Sequence, residues 1–323
     1  MANEFSSIAT SGGIATQTVT TAYDIAVRYA LKGIPSARQF VSVRPQQQVM
    51  RGSSVVLEKV NWFSNSTITA MKTALTEEVD VDSTKIPQAT PVTITPSEYG
   101  AAITTTAKLE GRSFLDVDPI KVNLLAHAQA RTIDELIQDK LVSVTPTYNN
   151  SNSANSTVTN AHKLTASDVR KTVAKLRAAN VTPWFGGFYA AYIHPYVVLD
   201  LREDTSSGGW RVPKEYGTDQ SEIWTGEAYE FEGVRLVQSN LARVTADGSS
   251  SANVFNTFFL GQNALAEAVV TEPHTVASPT TDKLQRFHTL GWYGDLGWAI
   301  YESAALVDFR TGSSLGASYV ASA

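Results

Sequence analysis

The stretch DVDPIKVNLLAHAQARTIDELIQDKLVSV, residues 116–144, carries the longest uninterrupted helical pattern in the chain. Asp118 followed by Pro119 has the form of an N-cap and a first helical residue, because the missing N–H of proline is harmless at that position. A helix from Pro119 to Val144 would be about 39 Å long. We therefore expect a spine helix across which the other parts of the chain are laid.

Apolar residues recur within this helix at steps of three and four, which predicts one continuous buried stripe. Arg131 lies four residues before Glu135, so these two side chains are expected to pair on one face. The stripe consists of Val122, Ala126, Ala130, Ile133, Ile137, Leu141 and Val144, and it is widened by Leu125 and Leu136.

The composition of the chain limits the classes of protein to which it can belong. Of the 323 residues, 43% are hydrophobic, which is enough for a substantial core in one large domain or two smaller ones. Charged residues make up only 18%, below the usual proportion of about a quarter, which fits either a surface that is hidden against copies of the same chain or a secreted β-rich protein. The net charge is −5 with no basic run, which argues against a nucleic-acid-binding domain. The absence of cysteine excludes disulfides and thiolate metal sites.

The beginning of the chain, MANEFSSIATSGG, has neither the basic nor the apolar region of a secretory signal peptide. No segment approaches the ~18 apolar residues that are needed to span a bilayer. We therefore expect a chain that folds inside a cell and has no membrane partner.

Residues 1–39 are expected to form an N-terminal arm. Residues 1–20 are small, polar and rich in threonine, a composition typical of flexible segments. Apolar residues at helical spacing then predict a short amphipathic helix that ends at Gly33 and Pro35. A peripheral helix and an arm that docks on a neighbouring subunit are equally compatible with this pattern. The apolar positions are Tyr23, Val27, Ala30 and Leu31.

Residues 40–109 show no persistent helical period and contain β-favouring runs separated by polar turns and prolines. Such a segment has few large hydrophobic residues, and an isolated hairpin is only marginally stable in water. We therefore predict an extended loop, a β-ribbon that needs an outside surface to lie on, rather than a β-subdomain packed on its own chain. The candidate subunit-interface residues are Val56, Trp62, Phe63, Met71 and Leu75 of this ribbon and Tyr23, Val27 and Leu31 of the arm.

Residues 165–272 are expected to form a compact α/β unit. Thr165 and Asp168 have the spacing of a helix N-cap and its third residue, and Val169, Val173 and Leu176 would be the buried side of that helix. Further elements are predicted as strands at 188–193, 234–237 and 255–260, helices at 196–201 and 263–269, and a late β-region at 287–309 that returns to the spine helix.

Enzyme signatures are nearly absent. The five histidines lack metal-binding spacing, and neither a nucleophile elbow nor a phosphate-binding glycine loop is present. The carboxylates of Asp200, Glu203 and Asp204 are interpreted as a solvated helix end. His194, which precedes Pro195, is interpreted as a histidine that closes a strand and bonds to the backbone, although an exposed histidine there would titrate near neutrality. We therefore expect no enzyme activity, no metal and no cofactor.

The order of several motifs resembles that of the major capsid proteins of tailed bacteriophages, most closely the branch typified by N-four-like phages. The motifs are FYAAYIHPYVVLDLRED at 188–204 with its His194-Pro195 and Asp200-Leu201-Arg202, a loop with Trp210 and Tyr216, and GEAYEFEGVRLVQSN at 226–240 with its Gly233-Val234-Arg235, Val237 and Ser239. Upstream lie LTEEVDVDSTKIP at 75–87, Glu98-Tyr99-Gly100 and the long helix. The resemblance covers about residues 23–310.

This resemblance implies an α+β capsid fold, shared by tailed phages and herpesviruses, in which the arm and the extended loop lap over neighbouring subunits. It places the start of the peripheral domain within 40–109 and continues this domain through 110–164, where the spine helix lies. Residues 165–272 would form the axial domain. Residues 273–323 would return to the peripheral domain and end in a C-terminal tail.

The implied function is that of a structural major capsid protein, which self-assembles into hexamers and pentamers of a shell around double-stranded DNA without binding DNA sequence-specifically. Scaffolding would come from a separate protein or be absent, and portal and decoration proteins are further expected partners. The implied location is the virion capsid, assembled in the cytoplasm of the host bacterium. A bacterial nanocompartment shell that encloses protein cargo is the alternative. No covalent cross-link through Lys59, Lys72 or Lys85 is predicted.

Overall fold

The computed structural model describes residues 35–43, 54–75, 77–78, 80–81, 83–113, 117–149, 152–184, 186–204, 230–278, 282–284 and 286–319. These residues form a mixed α+β fold built on two main β-sheets and one long helix. The predicted helix of the arm, with Tyr23, Val27 and Leu31, lies outside the described residues.

The described elements are the following. The helices are α1 (Asn65–Met71), α2 (Ala107–Glu110), α3 (Val117–Leu141), α4 (Ala166–Ala178) and α5 (Pro195–Arg202). The strands are β1 (Val41–Val43), β2 (Val55–Lys59), β3 (Thr90–Ile94), β4 (Ser97–Thr106), β5 (Thr147–Tyr148), β6 (Tyr189–Ile193), β7 (Glu230–Phe231), β8 (Val234–Gln238), β9 (Val244–Thr245), β10 (Val254–Leu260), β11 (Leu265–Ser278), β12 (Phe287–Ile300) and β13 (Leu306–Thr311).

The larger sheet has the strand order β5-β13-β10-β6-β8-β7, and β9 pairs with β10 beside this path. Every residue of β6 and β10 is buried, as expected of central strands that are covered on both faces. Helix α4 begins as predicted, because the Thr165 side chain accepts from the N–H of Asp168 at 3.3 Å and Asp168 Oδ2 accepts from the N–H of Thr165 at 3.2 Å. The strand predicted at 234–237 is confirmed as β8, which pairs with β7.

The smaller sheet has the strand order β1-β11-β12-β4. Its centre is the antiparallel pair of β11 and β12, two strands of 14 residues each. The predicted helix at 263–269 is wrong, because Leu265 already starts β11. Residues 265–269 are all buried, and a short apolar run that is buried on all sides does not distinguish a strand from a helix by its periodicity.

The spine helix α3 begins at Val117, two residues before the predicted first residue, so Asp118 lies inside the first turn and is not the N-cap. The helix ends at Leu141, short of the predicted Val144. Arg131 Nε donates to Glu135 Oε1 at 2.8 Å, which confirms the predicted pair.

The predicted stripe of α3 is correct for the C-terminal half and wrong for the N-terminal half. Ile133, Ile137 and Leu141 are buried in the main core. Val122, Ala126 and Ala130 are exposed, whereas Leu125 is buried as predicted and Lys121, which was not part of the predicted stripe, is buried too. At 100° per residue, Lys121 and Leu125 lie about 120° and 80° around the helix from Ile133, on a neighbouring side. Lys121 Nζ donates to Thr105 Oγ1 of β4 at 2.8 Å, so the smaller sheet covers that side.

The segment 40–109 differs from the predicted ribbon in two respects. It contains a helix, α1, with an N-cap at Ser64 that accepts from the N–H of Thr67 at 3.3 Å. Its last long strand, β4, pairs with β12 and belongs to the smaller sheet. The free ribbon is therefore shorter than 40–109, and it is formed by β2, β3 and the described residues between them.

Strand β13 lies in a different sheet from β12. It pairs with β10 from Phe255↔Thr311 to Leu260↔Leu306, so it lies in the larger sheet. β12 lies in the smaller sheet, as predicted for the late β-region. The C-terminal part of the chain thus contributes to both sheets, and the predicted domain boundaries remain a prediction.

Candidate functional site: the exposed ribbon

The base of the ribbon is anchored on the smaller sheet. β2 and β3 pair in antiparallel register from Val55↔Ile94 to Lys59↔Thr90. Val55 and Ile94 are buried in a small separate cluster with Ala266 and Ala268 of β11. Lys59 forms an ion pair with Glu302 at the end of the same sheet. These contacts fix the direction in which the ribbon leaves the body of the protein.

Beyond this base the ribbon is held together mainly by polar contacts. Asn61 Nδ2 donates to the Gln88 carbonyl at 3.1 Å and to Thr90 Oγ1 at 2.7 Å, which joins the two sides of the ribbon. Helix α1, between them, has no buried residue. The described part of the distal ribbon is therefore ordered by local hydrogen bonds and has no hydrophobic core of its own.

Large apolar side chains on this distal part lie in solvent. Trp62 is 95% exposed, Ile86 84% and Leu75 77%. Single exposed hydrophobic residues are common on protein surfaces, but a group of them on one thin projection is typical of an interaction surface. The described ribbon thus presents an apolar surface that its own chain leaves uncovered.

The predicted interface residues of the ribbon all lie on this projection. Val56, Trp62, Phe63, Met71 and Leu75 are exposed. Their role in contacts between subunits remains a prediction, as it does for Tyr23, Val27 and Leu31 in the arm. Sequence reasoning missed Val60, Ile68, Val81 and Ile86, which are also exposed hydrophobic residues of the ribbon. The signal that could have identified them is their position inside the same core-poor segment.

The acidic cluster at the end of α5 is structural, and its interpretation as a solvated helix end is wrong for Asp200. This carboxylate is buried and accepts from the N–H of Ser314 at 3.0 Å, while Lys163 Nζ lies 3.2 Å from its Oδ1. Asp204 Oδ2 accepts from the N–H of Ala166 at 2.9 Å and so binds the start of α4. Through these polar contacts, each carboxylate links two separate segments of the chain.

His194 has the structural role that the sequence predicted. It is the N-cap of α5, and its Nδ1 accepts from the N–H of Tyr196 at 3.2 Å. Its ring packs against Tyr196, Phe255 and Tyr319 with centroid distances of 4.9–5.5 Å. Burial lowers the pKa of His194 to about 4, because the charged imidazolium is disfavoured away from water. The neutral ring is therefore part of an aromatic cluster at neutral pH.

Neither a metal-binding cluster nor a membrane-spanning helix is present among the described residues. They contain no cluster of three or more histidine, aspartate or glutamate side chains that could hold a metal ion. None of their helices combines the length and the hydropathy that crossing a membrane requires. The ribbon is thus the surface that calls for an explanation.

Comparison with known proteins gives the fold a context. Residues 139–296 match the model of a family described as phage capsid protein. The fold is similar to the Cyanophage Pam1 capsid, with a TM-score of 0.72 and 14% identity over 97% of this chain and 100% of that chain. The chain has the fold of a tailed-phage major capsid protein. No curated protein matches it in sequence.

The tailed-phage capsid fold recurs in other similar structures. The capsid of Cyanophage P-SCSP1u has a TM-score of 0.70 and 12% identity over 94% of this chain and 96% of that chain. The capsid of Ralstonia phage GP4 has a TM-score of 0.67 and 12% identity over 94% and 97%. The matched family and these structures are structural capsid proteins and not enzymes. The α+β capsid fold expected from the sequence is therefore confirmed.

Proposed function

We propose that this chain is a structural major capsid protein, which self-assembles into hexamers and pentamers of an icosahedral shell that encloses phage double-stranded DNA. The observation that carries the proposal is the ribbon, which projects from a buried base at Val55 and Ile94 and exposes Trp62, Leu75 and Ile86 at its distal part. A partner surface is needed to cover these side chains, and a closed shell of identical chains supplies one to every copy.

The exposed side chains are large enough to drive such an association. Complete burial of one large apolar side chain contributes about 1.5–3 kcal/mol. Three such residues on each ribbon would offset part of the entropic cost of association, which is estimated at about 4–15 kcal/mol. In a shell every subunit both gives and receives a ribbon, so the contribution repeats at each contact. Assembly is then favourable collectively although one contact is weak.

The remaining partners follow from this function. The net charge of −5 fits a shell that retains DNA by closing around it and not by sequence-specific binding. We propose that a portal and decoration proteins act with the chain, that scaffolding comes from a separate protein or is absent, and that the shell assembles in the cytoplasm of the host bacterium and ends in the virion capsid. Membership of the N-four-like branch rests on the motifs around His194-Pro195 and Gly233 and remains part of this proposal.

The function is tested by assembly of the purified chain, alone and with the candidate scaffolding protein, followed by sizing and electron microscopy. We expect capsomers or shells from the wild type and loss of assembly from the double variant Trp62→Ser, Leu75→Ser. Lys72→Ser is the matched control, because Lys72 is also an exposed residue of the ribbon but offers no comparable apolar surface. This control is expected to assemble as the wild type does.

Two results would contradict the proposal. One is a wild-type chain that stays a compact monomer under all assembly conditions. The other is a particle from infected or expressing cells that contains a specific protein cargo and no DNA after nuclease treatment, which would favour the nanocompartment alternative.

A further inference from the structure

The N-terminal half of the spine helix carries an apolar face that the described residues leave largely exposed, and at its first residue, Val122, this face borders Ala277 and Leu290 of the smaller sheet. Val122, Ala126 and Ala130 are exposed, and Val122 retains 50% of its surface. At 100° per residue, Val122 and Ile133 lie within about 20° of each other around the helix. The exposed face is therefore the direct continuation of the stripe that Ile133 and Ile137 bury in the main core.

The described chain begins at the end of this exposed face. The main-chain N–H groups of Ser36 and Ala37 donate to Asp134 Oδ1 at 2.8 Å and 2.6 Å. Ala37 and Phe40 are buried in the core cluster that also contains Ile133. The segment from residue 36 thus already covers the C-terminal part of the stripe, and it begins at Asp134, one helical turn from Ala130.

The length and the pattern of the preceding sequence fit the uncovered face. From residue 23 to residue 31 a helix would rise about 12 Å, which equals the rise from Val122 to Ala130. The apolar residues Tyr23, Val27 and Leu31 recur every four positions, the same step as the exposed residues of the spine helix. Residues 32–35 span up to about 13 Å when extended, more than the turn that separates Ala130 from Asp134.

We propose that residues 23–31 dock as a helix, parallel to the spine helix, on the face formed by Val122, Ala126 and Ala130 of the same chain. The small alanine side chains allow two helices to approach closely, and the docked segment completes the stripe whose other half is already buried. This inference concerns the single subunit and does not depend on the proposed shell.

Disulfide trapping tests the proposal directly, because the chain contains no cysteine. The test variant is Tyr23→Cys with Val122→Cys, and the matched control is Tyr23→Cys with Leu124→Cys. Leu124 is 53% exposed, as Val122 is 50%, but it projects about 160° away from Val122 around the helix. In the unassembled subunit we expect an intrachain disulfide to form at least about tenfold faster in the test variant, which corresponds to about 1.4 kcal/mol of preference.

Equal rates in the two variants would overturn the proposal. So would a cross-linked dimer formed on mixing the two single variants, Tyr23→Cys and Val122→Cys, because the occupant would then be a second copy.

Limited trypsin digestion gives a second, independent readout at Arg28. A charge on the docking face should release the segment, because the carboxylate would be buried under it. Ala126→Asp is therefore expected to speed cleavage after Arg28 about tenfold or more, and Leu124→Asp should leave the rate unchanged. Cleavage at the same rate in the wild type and in Ala126→Asp would contradict the docking.

Discussion

Ile94 packs directly over Gly297, so closely that a Cβ on this glycine would lie 2.9 Å from Ile94 Cγ2 and 2.9 Å from Pro96 Cα. Gly297 lies on β12, and Ile94 ends the second strand of the ribbon. Because Gly297 has no side chain, Ile94 can pack closely against β12. This contact anchors the ribbon, and the direction of the ribbon depends on it.

Gly297→Ala is expected to displace the base of the ribbon and to lower the free energy of unfolding by about 1–3 kcal/mol, the usual cost of overpacking. Chemical denaturation of the unassembled subunit measures this loss. Gly111→Ala is the comparison, because Gly111 has an ordinary helical conformation with φ of −73° and a Cβ there would meet only the Ala107 carbonyl oxygen, at 3.3 Å; its effect is expected to be smaller than that of Gly297→Ala. Equal stability of the two variants would show that the contact at Gly297 is not tight.

Ile137→Asp is expected to prevent soluble folding, because it places a charge in the main core where Ile137 is fully buried. Leu124→Asp, on the exposed side of the same helix, should express and unfold as the wild type does. Soluble yield and circular dichroism compare the two. A folded Ile137→Asp subunit would mean that this face of the C-terminal half of the spine helix is not buried in the core.

Asp200→Ala should destabilise the subunit by about 1.5–3 kcal/mol, because the N–H of Ser314 and the ammonium group of Lys163 lose a charged acceptor. Glu203→Ala changes an exposed carboxylate of the same segment and is expected to have little effect. Thermal unfolding of both variants checks this. An enzymatic role would give the opposite pattern, with a lost turnover and unchanged stability in Asp200→Ala.

The buried His194 makes the stability of the subunit depend on pH. Its pKa is about 4 in the folded chain and near 6.5 when unfolded, so the unfolded chain binds more protons between these values. The contribution of neutral His194 to the free energy of unfolding is therefore fully present above about pH 6.5 and is lost as the pH falls toward 4. The loss is on the order of 3 kcal/mol.

His194→Asn keeps an N-cap acceptor but removes the titrating ring. The difference in unfolding free energy between this variant and the wild type, measured from pH 7 to pH 4, isolates the histidine from the carboxylates. We expect the difference to shrink as the pH falls. A difference that stays constant over this range would contradict a buried neutral His194.

Local sequence signals predicted much of the fold. The capping pattern of Thr165 and Asp168 is complete within four residues, so it could be identified without knowledge of the tertiary structure. The same holds for β6, which ends at Ile193 directly before His194-Pro195, and for the strand β8. The expected capsid fold as a whole came from the order of such motifs along the chain.

The predictions that were wrong concern features that are determined by tertiary contacts. The exposed Val122 and the buried Ile133 have the same helical phase, and only the position of the two sheets determines which of them is covered. Leu265–Val269 is buried on every side, so its pattern could not distinguish strand from helix. Within the candidate site, the close contact between Gly297 and Ile94 could not be predicted from the sequence, because the two residues lie far apart in the chain.

The central claim, that the ribbon is an assembly surface, is tested most directly by the structure of an assembled particle. A cryo-electron microscopy reconstruction of the shell shows whether Trp62, 95% exposed in the single chain, is covered by a neighbouring subunit. We predict that the Trp62 side chain is buried in that contact. A shell in which Trp62 remains as exposed as in the single chain would contradict the claim.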